Sequence, residues 1–367
     1  MLELLYEYCD KNNIVYNTND QFGMEFPKGE LSEGIPSDCG EYFINFTSTS
    51  EFLEGIDWNK EYALLNSFVE GYFPVQHLKE LHNEIRNKNY PAKKIIWVTS
   101  DLNIEKNYNT WKSNSKFRND ESINVIGLFF WLGILEERLD FSHSWIKNSV
   151  NNIEKRDKLF LFLNNKNHSV RGHFFERIEK FDGLDVSFHS FVERGIFLDV
   201  KNVFGEIGQK GDNLDNMAYW EGWGLNNLNQ YYMNTYFETF CSTDRDEKKD
   251  GRIFMCDKIA KPLVMGHPFI GLFNPFTLKS LRELGFETFP ELFDESYDDE
   301  VNIDNRFNMV VKEIKRYIDM WNKNKSKVHQ IFTQENILEK RKHNQNWLIY
   351  HNPVLPDLYY KLGRIIT

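Results

Sequence analysis

Residues 62–99 read YALLNSFVEGYFPVQHLKELHNEIRNKNYPAKKIIWVT, and this stretch decides the fold class. Tyr62–Phe68 is a buried-type apolar run of strand length. Lys94–Thr99 (KIIWVT) is a second, rich in β-branched residues. Val75–Lys88 between them has the apolar spacing of an amphipathic helix. Strands that are continuously apolar, with a helical return between them, belong to a parallel sheet covered on both faces.

The pattern extends in both length and number. After a polar stretch, Ile123–Phe129 (INVIGLF) is another apolar strand. A second series starts near Lys158, with a strand at Leu159–Leu163, a polar loop at Asn164–Ser169 and a helix at Val170–Phe181. Phe237–Cys241 reads as a further strand, followed by an apolar helix at Ile259–Met265 and a strand at Pro268–Phe273. Helices are expected at Leu278–Leu284, Asn305–Asn324 and Gln334–Lys340, with polar, turn-rich separators at Asn302–Arg306 and Asn344–Pro353. The acidic run Phe293–Glu300 reads as a solvated loop. A chain of 367 residues exceeds one comfortable core. The expectation is therefore two Rossmann-like α/β domains, 1–150 and 151–330, with C-terminal helices in 331–367 crossing back to the first. Ligands of such sheets bind at the carboxyl ends of the strands, here in the cleft between the two domains.

Composition narrows the class further. Aromatic residues make up 16% of the chain, enough for two packed cores. A net charge of −11 argues against a polynucleotide partner, which calls for a basic face. Cys9, Cys39, Cys241 and Cys256 form no CxxC or metal-like cluster and read as reduced thiols. The N-terminal residues lack the pattern of a signal peptide, and no window approaches the ~20 apolar residues of a membrane span. A cytoplasmic protein is the expectation.

Residues 252–285 carry the chemistry. Asp257-Lys258 opens the helix that ends at the turn Gly266-His267-Pro268. A carboxylate and an ammonium at a helix start, on the loop side of a parallel sheet, can hold a sugar hydroxyl and a phosphate together. The plainer alternative is an N-terminal Asp that caps its helix beside a solvated Lys. The loop Asn164–Arg171 (NNKNHSVR) adds Lys166, His168 and Arg171, the last in the first turn of the next helix, where a guanidinium can fork onto phosphate oxygens. The aromatic stretch Met217–Tyr232 either stacks on sugar rings or caps the second sheet.

Leu159–Glu176, Phe237–Thr243 (FETFCST) and Met255–Lys258 (MCDK) resemble the donor domain of α1,3-fucosyltransferases. Asp257–Ile270 and Leu281–Tyr297 resemble more closely the glycosyltransferase-like proteins encoded by phages and large viruses. Those carry a Thr-Glu-Lys-Thr-x-Lys-Pro stretch before Met-Gly-His-Pro-Phe, where this chain has Cys256-Asp257-Lys258-Ile259-Ala260-Lys261-Pro262. The resemblance spans roughly residues 158–300.

It implies the GT-B architecture and an inverting, metal-independent transfer of a sugar from a nucleotide-diphosphate donor, GDP-fucose among the candidates, to a glycan hydroxyl. It further implies Arg171 and Lys258 on the diphosphate and Asp257 on the ribose, with Asn164, Lys166 and Lys261 lining the donor. Glu295, Ser296 and Tyr297 recur in the viral pattern and would shape the cleft. No cofactor beyond the nucleotide sugar, no metal and no nucleic acid are expected, and a viral origin would place the protein in the host cytoplasm. The general base should come from the first domain, where Glu70 and Asp101 are the candidates, with Glu105 close behind. Two other readings stay open: a nucleotide-sugar-binding α/β protein without a working base, and a phage-type DNA-base glycosyltransferase, which the acidic charge disfavours.

Overall fold

The structure is a computed structural model that describes residues 2–16, 46–67, 75–129, 150–151, 153–164, 169–191, 194–196, 230–238, 253–255, 257–351 and 354–366. The chain forms two compact units. One comprises Met1–Ile134, Lys249–Cys256 and Pro353–Thr367, the other Leu135–Lys248 and Asp257–Asn352. Among the described residues each contains a four-stranded sheet, and every strand pairing in both sheets is parallel.

In the first unit the elements run α1 (Leu2–Lys11), β1 (Ile14–Tyr16), α2 (Phe46–Glu54), β2 (Tyr62–Ser67), α3 (Val75–Lys88), β3 (Ile95–Thr99), α4 (Ile104–Ser113) and β4 (Asn124–Gly127). The sheet order is β1-β2-β3-β4, so the chain advances in one direction. Right-handed crossovers then put α2, α3 and α4 on one face. That layer joins Ala63, Leu65, Ile95 and Trp97 of the sheet to Leu53, Leu78, Leu81 and Tyr108 of the helices. The intervening residues Leu64, Ile96 and Val98 are equally buried, which is why β2 and β3 read as continuous apolar runs.

One imidazole lies inside this layer. His82 is 0% exposed, and its Nε2 lies 3.0 Å from the Tyr108 hydroxyl, which also accepts the Ile123 N–H at 3.1 Å. Burial pushes the His82 pKa down to about 4; Asp120 opposes the shift, while Lys112 and Arg86 add to it.

The second unit runs β5 (Lys158–Asn164), α5 (Ser169–Glu179), β6 (Ser187–Phe191), β7 (Tyr231–Phe237), α6 (Asp257–Met265), β8 (Phe269–Leu272) and α7 (Thr277–Glu283). A 3₁₀ turn, Glu295–Asp299, leads into α8 (Ile303–Lys323), α9 (Lys325–Phe332) and α10 (Glu335–His351). The sheet order is β6-β5-β7-β8. An aromatic chain joins sheet to helices: Phe162 meets Phe174 of α5 at 4.7 Å, Phe174 meets Phe237 at 4.2 Å, and Phe237 meets Phe307 of α8 at 6.3 Å. α10 packs on α6 and satisfies carbonyls at that helix's end. Arg341 Nε donates to Gly266 O at 2.7 Å and Gln345 Nε2 to Val264 O at 3.0 Å. The last helix, α11 (Val354–Ile366), belongs to the first unit, where Tyr359 stacks on Tyr8 of α1 at 4.7 Å.

Four details differ from the sequence expectations. The strand predicted at Phe237–Cys241 is Tyr231–Phe237, so Tyr231 and Tyr232 are core strand residues. Residues 303–306 and 344–351 are helical, because Asn302 caps α8 through the Asn305 N–H and Asn344 and Gln345 make tertiary hydrogen bonds from within α10. Of residues 331–367, α10 lies in the second unit and α11 in the first. The acidic run is also folded in: Tyr297 and Asp298 are buried, and Asp298 accepts the Leu278 and Lys279 N–H groups at the start of α7. Burial raises the pKa of Asp298 against those two N–H bonds. Among the described residues no helix is long and apolar enough to cross a membrane.

His82 makes stability depend on pH. Its folded pKa lies below the ordinary 6.5, so the unfolded chain takes up the proton first, and stability is lost as pH falls from 6.5 toward about 4. Between pH 7 and pH 5 the loss is about 2 kcal/mol. Urea unfolding at the two pH values measures it, and His82→Phe, which suits the ring cluster of Tyr108, Trp111 and Phe117, removes that component.

Candidate functional site at the carboxyl edge of the second sheet

From β5 the chain steps through α5 to β6, then returns to the opposite side of β5 at β7. The strand order therefore reverses between β5 and β7, the position where open parallel sheets form a ligand crevice outside their carboxyl ends. Both α5 and α6 begin at this edge, since each follows a strand and leads to the next parallel one. Their N-terminal N–H groups carry partial positive charge toward it.

The side chains at this edge are polar and buried. Asn164 ends β5 and is 4% exposed, with its Nδ2 making no hydrogen bond to a described residue. Arg171, in the first turn of α5, is 5% exposed, and its Nη2 donates to Phe237 O at the end of β7, 3.1 Å away. The guanidinium thus spans the point of reversal. Glu238, the next residue, is 1% exposed and holds the edge by donating its N–H to Leu272 O at 3.0 Å. Asn274, just past β8, is 3% exposed. The carboxyl edge of this sheet is therefore lined by buried polar and charged side chains. Lys258 lies in the first turn of α6 and is partly exposed.

Three of the sequence candidates, Asn164, Arg171 and Lys258, therefore stand at one sheet edge. Asp257 opens α6 and Lys261 belongs to it, but their side chains, like residues 70 and 166 altogether, lie outside the described part of the molecule. Residues 217–229 of the aromatic stretch also lie outside it. Glu238 and Asn274 are additions. The strand predicted at 237–241 put Glu238 inside a strand rather than at its end, which hid it.

Asp101 has a different part. It follows β3 in the first unit and is 0% exposed. Its Oδ1 accepts the N–H groups of Asn103 (2.9 Å) and Ile253 (3.1 Å), and its Oδ2 accepts Asn107 Nδ2 (2.9 Å). An antiparallel bridge to Phe254 and the Leu102 N–H on Ile253 O (3.0 Å) complete the attachment. Gly127 abuts the Asp101 carbonyl so closely that any β-carbon there would collide with it. A carboxylate enclosed in this way is an anchor for residues 253–255. Asp101→Ala strands three donors, and its urea-unfolding free energy should fall by about 3 kcal/mol or more. Asp101→Asn, which keeps an oxygen for the two backbone N–H groups, should lose less.

No protein-family model matches the sequence, and no curated protein matches it. Among solved structures, the crystal structure of an α1,3-fucosyltransferase with GDP-fucose matches with a TM-score of 0.29 and 13% identity, over 83% of this chain and 69% of that one. The resemblance to phage and large-virus proteins read from Asp257–Ile270 has no counterpart in these matches.

Proposed function

We propose that this chain is a glycosyltransferase of the GT-B type that binds a nucleotide-diphosphate sugar at the carboxyl edge of its second sheet and transfers the sugar to a hydroxyl. The observation that carries the reading is Arg171: a buried guanidinium laid across the point of strand reversal, next to Asn164 and Glu238. A cation buried at that point, with two helix N-termini directed to the same edge, is suited to a diphosphate. The partly exposed Lys258 adds a second positive charge in the first turn of α6. Asn164 and Glu238 supply an amide and a carboxylate for ribose or sugar hydroxyls, and Asp257, by its resemblance, takes a ribose hydroxyl as well. Lys166 and Lys261 line the donor in the same reading.

The reaction follows from these parts. The acceptor oxygen attacks the anomeric carbon from the face opposite the diphosphate, the anomeric C–O bond to phosphate breaks, and the configuration inverts. A general base takes the acceptor's proton. We assign that base to Glu70, which by sequence lies just past the end of β2. Negative charge growing on the departing diphosphate is met by Arg171, Lys258 and the α6 N-terminus, so this mechanism calls on no metal. The resemblance of residues 158–300 supports a GDP-linked donor such as GDP-fucose and a glycan acceptor.

Lys258→Ala should weaken GDP binding by about tenfold to a hundredfold, the range of one charge-assisted contact, while its urea midpoint stays at the wild-type value. Calorimetric titration reads the first quantity, and an unchanged affinity would remove Lys258 from the site. Glu70→Gln should keep donor affinity and lose transfer by about a hundredfold or more. Full activity in that variant would move the base elsewhere.

A further inference from the structure

Seven described residues have positive φ: Asn13, Asn89, Asp182, Phe276, Gly195, Gly266 and Gly285. Asn13, Asn89, Asp182, Gly266 and Gly285 come just after the C-terminal ends of α1, α3, α5, α6 and α7, where a left-handed residue is the ordinary stop. All are of types that tolerate this conformation. Phe276 is the exception on both counts. It precedes a helix, α7, and it is a bulky aromatic at φ 67° and ψ 14°.

The surroundings impose this conformation. The Phe276 N–H donates to Asp298 O at 2.7 Å, and its carbonyl accepts the Ser280 N–H at 3.0 Å. The Asp298 carboxylate takes the Leu278 and Lys279 N–H groups, each at 2.9 Å. Glycine would adopt the same backbone without steric penalty. The chain instead keeps a ring that is 37% exposed. Left-handed backbone at a bulky residue persists only where the surroundings fix it, and such residues cluster at ligand-binding positions.

We propose that Phe276 is a stacking platform for the base of the bound nucleoside diphosphate. The inference rests on reading this sheet edge as a donor site, and it adds which end of the edge takes the base. In the order β5-β7-β8, with strands ~4.8 Å apart, the end of β8 lies about 10 Å from the end of β5. That distance is comparable to the separation of a diphosphate from its base. Charge sets the direction. The buried Asp298 carboxylate already occupies the start of α7 and repels phosphate, whereas Arg171 and Lys258 draw it to the other end. The uncharged aromatic part of the ligand is left facing Phe276. Every base offers a π-face, so the ring adds affinity without reading base identity.

Calorimetric titration with GDP, UDP, ADP, CDP and inorganic pyrophosphate tests this. Phe276→Gly should weaken the best-bound nucleotide about tenfold or more and leave pyrophosphate unaffected. Its melting temperature without ligand should match or exceed wild type, because the strain is gone. Phe276→Tyr should bind nucleotide like wild type. Unchanged nucleotide affinity in Phe276→Gly, with Lys258→Ala weakening both nucleotide and pyrophosphate, overturns the platform and leaves the donor-site reading intact. Equal weakening of nucleotide and pyrophosphate in Phe276→Gly overturns it too, as does a loss confined to a nucleotide sugar with its nucleoside diphosphate unaffected. A wild-type protein that binds none of these probes overturns both readings.

Discussion

Parallel pairing is the constraint from which the candidate site follows. Two parallel neighbours cannot be joined by a tight turn, so each strand needs a return across the sheet, and in the described connections that return contains a helix. All strand carboxyl ends then gather on one edge, together with the N-termini of the returning helices. That edge has unpaired strand ends and positive helix ends by construction. In the second sheet the strand order also reverses at this edge, the place where open parallel sheets bind their ligands. Arg171, Asn164 and Glu238 occupy a place that the hydrogen-bond geometry of the backbone created.

Two buried carboxylates show how placement divides roles. Asp101 is enclosed by three protein donors and holds residues 253–255 to the end of β3. Glu238 stands at the end of β7, one residue from the carbonyl that receives Arg171. Both are almost wholly buried and both follow a strand, so exposure alone does not separate them. The difference lies in position: Asp101 takes donors from Asn103, Asn107 and Ile253, whereas Glu238 follows the carbonyl that receives Arg171 at the point of strand reversal. Asp298 makes a third case, a carboxylate consumed by the start of a helix.

The elements most legible in the sequence were those whose apolar pattern matched burial. β2, β3, β5 and β8 are short apolar runs, and α3 and α6 have a regular apolar face, so periodicity located them. β7 was less legible. Its sequence YYMNTYF is buried at every position, and Asn234 and Thr235 interrupt the apolar signal without being exposed. The helical nature of 303–306 and 344–351 was hidden for a related reason. Asn302, Asn344 and Gln345 look like turn residues until their partners are known, and those partners are the Asn305 N–H, the Glu287 backbone and the Val264 carbonyl. At the site, Arg171 and Lys258 were readable because they follow strands and open helices. Glu238 was not, since its significance depends on where β7 stops. Phe276 gave no signal, because nothing in its neighbours' identities announces a left-handed backbone.

The discontinuity of the two units bears on the order in which the protein can mature on the ribosome. The first unit is interrupted twice and is completed only by α11, whose Val354, Leu358 and Leu362 are buried. The second unit has all of its chain available once Asn352 has emerged. Domains ordinarily fold as they emerge, N-terminal first. Here the unit that begins first is completed after the other, and the apolar surface that α11 covers, including the neighbourhood of Tyr8, stays open until α11 has emerged. Nascent chains halted before residue 354 should therefore carry a closed second sheet and an unfinished first one, a species whose exposed surface invites chaperones.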